Sequence, residues 1–284
     1  MATIQWYPGH MAKAKRQVAE NLKFVDIVYE LVDGRLPISS RNPMLDQLLQ
    51  EKKRLILLNK ADLADPKQSR QWENYFESQD ISALAINSQT RQGIKKILPK
   101  TKEVLAAKIA RDQERGLKSR PIRAMVIGIP NVGKSTLLNH LAGKKVAKTG
   151  NRPGVTKGQQ WIRYGKELEL LDTPGILWPK FEDQEIGKKL ALTGAIKDQL
   201  INADDIALYA LDFFAVFYPE QLQERYQLSP ADIQLTAVDL LLLITKKQGF
   251  QEDYERGSER ILYDIRNGRL GSFTLDRYEE MVAP

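Results

Sequence analysis

Short apolar runs alternate with amphipathic stretches over the first two thirds of the chain. Each run has four to seven residues and is bounded by Gly, Asn, Asp or Lys, which favours strands buried in a parallel sheet, although run length alone does not exclude a buried helix. The runs are Asp26–Val32, Arg54–Leu58, Ala83–Ile86, Ala124–Ile127 and Leu168–Leu171. Met11–Phe24 and Gln68–Ser78 read as amphipathic helices between them. The pattern predicts an α/β domain with a mostly parallel sheet and helices on both faces.

A further helical segment is predicted between Gly93 and Gly116, but it contains Pro99. Proline lacks an N–H group and collides with the preceding turn of a helix. We therefore expect the helix to break at Pro99 or to begin near it. The segment Gly116–Pro121 is predicted to be a connector.

The pattern changes from about Asp204 onwards, where no strand-like run is evident. Ala237, Leu240, Leu241 and Ile244 follow helical spacing. Another helix is predicted over Tyr254–Asn267, with Gly268 as its C-terminal cap. We therefore expect two domains, an α/β domain over residues 1–203 and a small all-helical domain over residues 204–284.

Composition narrows the possible classes of protein. The 284 residues include no cysteine and two histidines, which excludes disulfides and thiolate zinc sites and disfavours a multi-histidine metal site. No apolar run approaches the roughly 18 residues that a membrane-spanning helix needs. The N-terminus does not have the pattern of a signal peptide. We expect a cytoplasmic protein without a membrane segment.

Charge is distributed unevenly along the chain. Residues 1–200 hold 35 basic and 21 acidic side chains, whereas residues 201–284 hold 8 and 15. The densest part, Arg91–Arg123, holds eleven basic and three acidic residues and is called the basic stretch below. Such a stretch can bind nucleic-acid phosphates, or it can be a solvated helix face followed by a connector. Composition does not decide between the two.

A phosphate loop follows the run Ala124–Ile127. It has the spacing Gly-x-x-x-x-Gly-Lys-Ser from Gly128 to Ser135, between a predicted strand and a predicted helix. In this context the glycines let backbone N–H groups approach phosphate, Lys134 adds a positive charge, and the Ser135 hydroxyl is a ligand for Mg²⁺. The residues expected to contact nucleotide here are Gly128, Asn131, Val132, Gly133, Lys134, Ser135 and Thr136.

The sequence Asp172-Thr-Pro-Gly175 follows the run Leu168–Leu171. It fits the Asp-x-x-Gly motif, in which the aspartate holds the water shell of Mg²⁺ and the glycine N–H senses the terminal phosphate. Thr156 lies between the phosphate loop and this motif along the chain. Its position makes it the candidate for the second hydroxyl ligand of Mg²⁺.

A guanine motif, Asn59-Lys60-Ala61-Asp62, follows the run Arg54–Leu58. A carboxylate at Asp62 can accept both the N1–H and the 2-amino group of guanine, a donor pair that adenine lacks. Asn87 and Ser88 follow the next run and are candidates for a base-support motif, which would offer a backbone N–H to the guanine carbonyl.

The order of these motifs is permuted, because the guanine motif comes before the phosphate loop. The chain resembles the circularly permuted P-loop GTPases of ribosome biogenesis. The resemblance extends to the opening Trp6–Met11, to Asp33–Pro37, to Ser40–Pro43 and to the helical tail. One departure is Gly34, where the family pattern has alanine, and we expect a more flexible loop there.

This resemblance implies GTP and GDP as ligands, with Mg²⁺, and a GTPase stimulated by the large ribosomal subunit. It implies that the partner is a late precursor of that subunit, made of rRNA and ribosomal proteins, and that hydrolysis times subunit maturation and release. The helical domain over residues 204–284 resembles an RNA-binding module, and because its net charge is negative, contact with RNA would come from a local face such as Arg256, Arg260, Arg266 and Arg269. We expect a monomer that acts on neither DNA nor a membrane. The alternative is a nucleotide-gated signalling or membrane-associated switch with protein partners, although no lipid-anchor motif is visible.

The position after Gly175 holds Ile176, where many signalling GTPases have a glutamine that orients the attacking water. Another group must supply that function. The resemblance points to His10 as the catalytic residue, since an imidazole can orient or deprotonate a water. The alternative is that His10 merely begins the helix that follows Pro8 and Gly9.

Asn131 has a further role under the same resemblance. GTPases activated by potassium carry an asparagine at this place, where its side-chain oxygen helps to hold K⁺. The ion then takes the position of the positive charge of an arginine finger. The alternative is a loop asparagine that hydrogen-bonds only the backbone.

Overall fold

The computed structural model describes residues 10–49, 52–143, 160–173, 175 and 183–282, without the side chains of residues 10–15, 44 and 160. These residues form two compact units. The described residues up to 175, together with 276–282, form an α/β unit, and residues 183–275 form a helical unit. In the described part of the chain, no helix is long and apolar enough to cross a membrane.

A six-stranded sheet forms the centre of the α/β unit. Its strands are β1 (Ile27–Asp33), β2 (Arg54–Asn59), β3 (Ser82–Ala85), β4 (Ile122–Ile127), β5 (Gln160–Tyr164) and β6 (Leu168–Asp172). They lie in the order β3-β2-β1-β4-β6-β5, and every neighbouring pair is parallel except β5 with β6. The five predicted strands and the mostly parallel sheet are therefore confirmed, and β5 is an additional antiparallel edge strand.

Helices and apolar clusters cover this sheet. The helices of the α/β unit are α1 (His10–Leu22), α2 (Pro43–Leu49), α3 (Pro66–Ser78), α4 (Ile94–Val104), α5 (Ala106–Glu114), α6 (Lys134–Ala142) and, near the C-terminus, α12 (Tyr278–Met281). One buried cluster joins α1 and α2 to β1, β4 and β6, and a second joins α3 to β1, β2 and β3 around Trp72 and Phe76. Burial of this apolar area is the main term that stabilises the unit.

The predicted break at Pro99 is wrong. Helix α4 begins at Ile94 and continues through Pro99 to Val104, and the interruption comes at Leu105 instead. Pro99 lies in the second turn and is exposed, so the carbonyl of Lys95, which loses its helical partner, can be hydrated. Ile94, Ile97 and Thr101 are buried and hold the helix on the sheet despite the proline.

The helical unit contains α7 (Gln184–Leu192), α8 (Ala203–Phe217), α9 (Pro219–Tyr226), α10 (Ala237–Lys247) and α11 (Tyr254–Arg266). The predicted spacing in α10 is confirmed, since Leu240, Leu241 and Ile244 are buried. Helix α11 ends one residue earlier than predicted, and Gly268 follows it with the positive φ of 70° expected for a C-terminal cap.

The unit boundaries differ from the predicted 1–203 and 204–284 at both ends of the second domain. Helix α7 already belongs to the helical unit, and residues 276–282 pack on the α/β unit. Asp276 explains the second difference: its Oδ2 accepts the backbone N–H groups of Ile38 (2.9 Å) and Ser39 (2.7 Å), and its carbonyl accepts the indole N–H of Trp72 (2.8 Å). The ring of Tyr278 also packs edge-on against Trp72.

Candidate functional site

The predicted motifs meet at the carboxyl ends of the parallel strands. Asp33 ends β1, Asn59 ends β2 and Asp172 ends β6, while the phosphate loop follows β4. These four strands are neighbours in the order β2-β1-β4-β6. Open parallel sheets bind ligands at this edge. The fold therefore brings together residues that lie far apart in the sequence.

The phosphate loop folds around its own lysine. Lys134 is buried at the start of α6, and its Nζ donates to the carbonyl oxygens of Gly128 (2.9 Å) and Ile129 (2.8 Å). Burial lowers the pKa of Lys134 to about 8, although the Asp172 carboxylate opposes the shift. The loop thus presents a desolvated cation beside the N-terminus of a helix, an arrangement suited to phosphate.

Asp172 supplies a carboxylate at the opposite side of this loop. It is 3% exposed, and burial raises its pKa to about 6 against the effects of Lys134 and the Thr173 N–H. Within the described residues, its buried Oδ1 has no hydrogen-bond partner. An oxygen of this kind fits the water shell of Mg²⁺, and the half-buried Ser135 at the second position of α6 provides a hydroxyl nearby in the same loop.

Gly175 and Gly133 lie where a side chain would collide. A Cβ on Gly175 would be 3.0 Å from the nitrogen of Pro130 and 3.2 Å from Nζ of Lys134, so this glycine abuts the phosphate loop. A Cβ on Gly133 would be 2.3 Å from Nδ2 of Asn59, and its φ is 100°. Glycine at position 133 therefore allows the phosphate loop to contact the guanine motif.

Asn59 joins three of the predicted motifs through one buried amide. Its Nδ2 donates to the carbonyl of Val132 (2.7 Å), and its Oδ1 accepts from the backbone N–H (2.9 Å) and the hydroxyl (2.8 Å) of Ser88. Ala61 N–H donates to the carbonyl of Ile86 (3.1 Å). Asp62 is exposed at the mouth of this arrangement, where a carboxylate can meet a base.

Asn87 shapes the turn that follows β3. Its side-chain oxygen accepts the backbone N–H groups of Gln89 (2.7 Å) and Thr90 (3.0 Å), and Asn87 itself is 2% exposed. Its Nδ2 is buried without a hydrogen-bond partner among the described residues. The turn leaves Ser88 beside Asn59, so the structure brings the base-support motif to the guanine motif.

Sequence reasoning missed one residue of this site, Asp33. Its carboxylate accepts from Nε (2.9 Å) and Nη2 (2.8 Å) of Arg35 and from Nζ of Lys60 (2.8 Å). Burial opposes ionisation, but these two cations hold the pKa of Asp33 well below its usual range. The available signal was a carboxylate at the end of β1, directly beside the strand that carries the guanine motif.

Gly34 makes a close approach to Asn59. Its N–H donates to the carbonyl of Asn59 (2.6 Å), and a Cβ would lie 2.9 Å from that oxygen and 3.2 Å from the Cβ of Ala64. The more flexible loop expected at Gly34 stays a prediction, since these contacts show a close approach and do not measure mobility. The absent side chain lets the end of β1 pack against the guanine motif.

The remaining predicted site residues are placed only in part. Asn131 is half-buried with a left-handed φ of 59°, and Ser135 and Thr136 are half-buried in the first turn of α6. His10 is the first residue of α1, but its side chain lies outside the described part of the structure. Thr156 lies outside the described residues altogether.

Comparison with known proteins agrees with this geometry. The family model described as 50S ribosome-binding GTPase matches residues 123–263. Ribosome biogenesis GTPase A of Priestia megaterium is 55% identical over 99% of both chains. Among solved structures, the GDP-bound form of TM YlqF is 25% identical with a TM-score of 0.63, and covers 93% of this chain and 100% of that one. The GNP-bound form of YlqF from T. maritima is 26% identical with a TM-score of 0.61, and covers 94% and 99%.

The family follows from the identity, the coverage and the motif order taken together. The 55% identical relative aligns over nearly its whole length, and both solved structures share the fold over nearly all of this chain. The guanine motif on β2 precedes the phosphate loop after β4 in the chain, yet Asn59 contacts that loop in the fold. The chain belongs to the circularly permuted GTPases of the ribosome biogenesis GTPase A family.

Proposed function

We propose that this GTPase binds a late precursor of the large ribosomal subunit in the cytoplasm and hydrolyses GTP to time subunit maturation and its own release. The main support for GTP binding is the buried side-chain amide of Asn59, which contacts both Ser88 and Val132. One side chain thereby ties the base end of the site to its phosphate end. The names of the relatives support the ribosomal part.

The residues take distinct roles in this proposal. Asp62 accepts the two guanine N–H groups, and a backbone N–H of the turn at Asn87 and Ser88 meets the guanine carbonyl. Lys134 and the backbone N–H groups of the phosphate loop bind the β- and γ-phosphates. Ser135, Thr156 and, through water, Asp172 would hold Mg²⁺, which would neutralise phosphate charge when bound. Gly175 offers its N–H to the γ-phosphate.

His10 supplies the group that orients the attacking water. Ile176 follows the Asp-x-x-Gly motif, and its side chain has no polar atom that could orient a water. An imidazole can orient or deprotonate a water within hydrogen-bond reach, and in this proposal binding of the ribosomal particle brings His10 to that water. Asn131 would help to hold K⁺, which would supply a positive charge to the phosphates. Its backbone is left-handed (φ 59°), a conformation that asparagine tolerates.

Two surfaces support contact with rRNA. In the basic stretch, six exposed side chains form no ion pair with any described residue: Arg91, Lys95, Lys96, Arg111, Arg115 and Lys118. The other five neutralise carboxylates: Lys100, Lys102, Lys108, Arg120 and Arg123. The six unpaired side chains can therefore bind rRNA phosphates, whereas the five paired ones are much less available.

The second surface lies on the acidic helical unit. The fully buried Asp264 pairs with Arg225 (2.7 Å), Arg260 (3.2 Å) and Arg269 (3.5 Å), so three guanidinium groups share one carboxylate. Arg260 and Arg269 also lie 5.7 and 4.9 Å from the ring centre of Tyr263, which is half exposed. An excess of positive charge beside an exposed aromatic ring suits RNA.

The experiment that tests the function is GTP turnover with and without purified large ribosomal subunits. We expect stimulation for the unmodified protein. We expect His10→Ala to bind GTP normally but to lose roughly 10²–10⁴-fold of the stimulated rate, the span of a positioned acid–base group. Equal turnover with and without subunits would contradict the ribosomal role, whereas a fully stimulated His10→Ala variant would contradict only the role of His10.

A further inference from the structure

Lys60 of the guanine motif lies between two carboxylates. Its Nζ donates to Oδ2 of Asp33 at 2.8 Å. Asp62, two residues later in the same motif, is exposed, and its negative charge also acts on the Lys60 ammonium. Lys60 has a left-handed φ of 60°, a conformation that few L-residues adopt. The ammonium is therefore paired with Asp33, behind the motif, while Asp62 faces solvent.

Asp33 is held in place from three sides. The Arg35 side chain, 1% exposed, binds both oxygens of the carboxylate, and the backbone N–H of Arg35 donates to Oδ1 at 3.1 Å. The backbone N–H of Asp33 donates to Oγ of Ser40 at 3.0 Å. A buried carboxylate fixed in this way cannot rotate away from Lys60 without leaving cations unpaired.

Among the described residues, Asp33 and Asp62 are the carboxylates whose charge acts on Lys60, so removal of Asp33 would leave Asp62. The two residues are separated only by Ala61, and Asp62 is not buried in a competing network. A pair between Lys60 and Asp62 would occupy the oxygens that a guanine base requires. The Lys60 ammonium would then compete with the two guanine N–H groups for the Asp62 carboxylate.

We propose that Asp33 is a positioning residue for guanine specificity: by holding the Lys60 ammonium, it keeps the Asp62 carboxylate free to accept the guanine N1–H and 2-amino groups. The inference rests on the proposed guanine-binding role of Asp62. Asp33 thereby affects the preference for guanine over other bases, in addition to any effect on the stability of the fold.

Glu30 provides a matched control on the same strand. It lies three residues before Asp33, is 2% exposed, and pairs with Arg41 (3.0 Å) and Arg54 (3.5 Å). Its described partners lie outside the guanine motif. Glu30→Gln and Asp33→Asn therefore remove a similar buried charge from β1, but only the second releases Lys60.

The test measures the affinities of GTP and inosine triphosphate, which lacks the 2-amino group, by equilibrium titration. We expect the unmodified protein to prefer GTP by roughly 10–100-fold, the range for one hydrogen bond to a charged group. Asp33→Asn should reduce this ratio to about threefold or less. Glu30→Gln should keep the ratio of the unmodified protein, even if its melting temperature falls.

A double variant, Asp33→Asn with Lys60→Met, shows whether the effect passes through Lys60. It removes the carboxylate and the competing ammonium together, and it is compared with Asp33→Asn after the melting temperature has shown that both variants fold. We expect its GTP preference to return towards that of the unmodified protein. A ratio as low as in Asp33→Asn would overturn the inference.

Two further outcomes separate this inference from the function on which it rests. If the unmodified protein binds both nucleotides equally, the guanine role of Asp62 fails and this inference fails with it. If the unmodified protein prefers GTP but Asp33→Asn keeps that preference, or Glu30→Gln loses it equally, only the inference about Asp33 is overturned.

Discussion

The side-chain amide of Asn59 donates to the main-chain oxygen of Val132 at 2.7 Å, although the two residues are 73 positions apart. Asn59 belongs to the guanine motif and Val132 to the phosphate loop. The same amide accepts two hydrogen bonds from Ser88. In this permuted chain the guanine motif and the phosphate loop are therefore joined by a long-range contact. Its loss should weaken binding of both the base and the phosphates.

We predict that Asn59→Ala weakens GTP binding by about 100-fold or more, because it leaves buried groups of Val132 and Ser88 unpaired at roughly 1–3 kcal/mol each. Titration calorimetry measures this loss. Asn74→Ala, an exposed change on α3, is the control and should bind GTP normally. Ser88→Ala should give an intermediate loss, since it keeps the backbone bond. Unchanged affinity in Asn59→Ala would contradict the bridging role.

Asp62→Asn should exchange guanine for xanthine. The amide offers a donor where xanthine has an acceptor, whereas GTP loses a bidentate acceptor and is left with unpaired N–H groups. We expect GTP affinity to fall by several kcal/mol and xanthosine triphosphate affinity to rise. Competition of both nucleotides for a labelled GDP analogue measures the exchange. A variant that binds GTP as tightly as the parent protein would show that Asp62 does not read the base.

The sequence predicts the strands and the motif residues because both are local patterns. β1, β2, β3, β4 and β6 are apolar runs, and the glycines of the phosphate loop keep a fixed spacing. β5 has no such run: Trp161 on this edge strand is 42% exposed, and only Ile162 of its described side chains is fully buried. A half-exposed edge strand has no strong hydrophobic period to recognise.

Long-range polar contacts explain the remaining differences. Asp276 follows the helical unit in sequence, but its bonds to Ile38, Ser39 and Trp72 hold it on the α/β unit. The partnership of Asp33 with Lys60 likewise depends on the register that pairs Asp33 with Asn59. Neither contact leaves a periodic signal, because a single buried carboxylate can find partners anywhere in the chain.

Potassium should accelerate GTP turnover if Asn131 helps to hold the ion. We predict faster turnover in KCl than in NaCl at equal ionic strength, and the loss of that difference in Asn131→Ala. Since Asn131 has a φ of 59°, alanine adds backbone strain of about 1–2 kcal/mol. Asn131→Gly removes the amide without the strain and should also lose the difference. Identical rates of the unmodified protein in both salts would leave Asn131 with a structural role.

Acid should destabilise the α/β unit through Asp26. Burial opposes ionisation of this carboxylate, but hydrogen bonds from Arg120, the Arg123 N–H and Lys108 lower its pKa to about 2. The folded pKa lies below the unfolded value, so the stabilisation is present above about pH 4 and is lost as the pH falls towards 2. The basic partners of Asp26 are half exposed, so solvent screening limits this stabilisation to roughly 1–2 kcal/mol.

The measurement is the melting temperature between pH 7 and pH 2. Asp26→Asn should melt at a lower temperature than the unmodified protein at pH 7, and the two curves should converge near pH 2. The exposed residue Asp80 provides the control, since Asp80→Asn should follow the unmodified protein at every pH. Parallel curves for Asp26→Asn and the unmodified protein would show that Asp26 contributes nothing to acid stability.

The basic stretch offers a test within a single helix. Lys95 and Lys96 on α4 are exposed and form no ion pair with any described residue. Lys100 and Lys102 lie on the same helix, but Lys100 pairs with Glu77 (3.2 Å) and Glu103 (3.0 Å), and Lys102 pairs with Glu167. A lysine already neutralised by a carboxylate displaces fewer counterions from RNA, because binding must first break its own pair.

We therefore predict different salt dependence for two variants that lose the same charge. Affinity for large ribosomal subunits, measured against KCl concentration, should fall for Lys95→Gln with Lys96→Gln, and the logarithmic slope should flatten by up to about 0.7–0.9 per contact. Lys100→Gln with Lys102→Gln should stay closer to the unmodified protein. GTP binding by the free protein should be the same in all three, since these lysines lie outside the nucleotide motifs.

If the Lys95 and Lys96 variant gives a line superimposable on that of the unmodified protein, α4 is a solvated face, because exposed charges without a partner contribute little. Contact with rRNA would then have to come from another surface, and the arginines around Asp264 are the next to test.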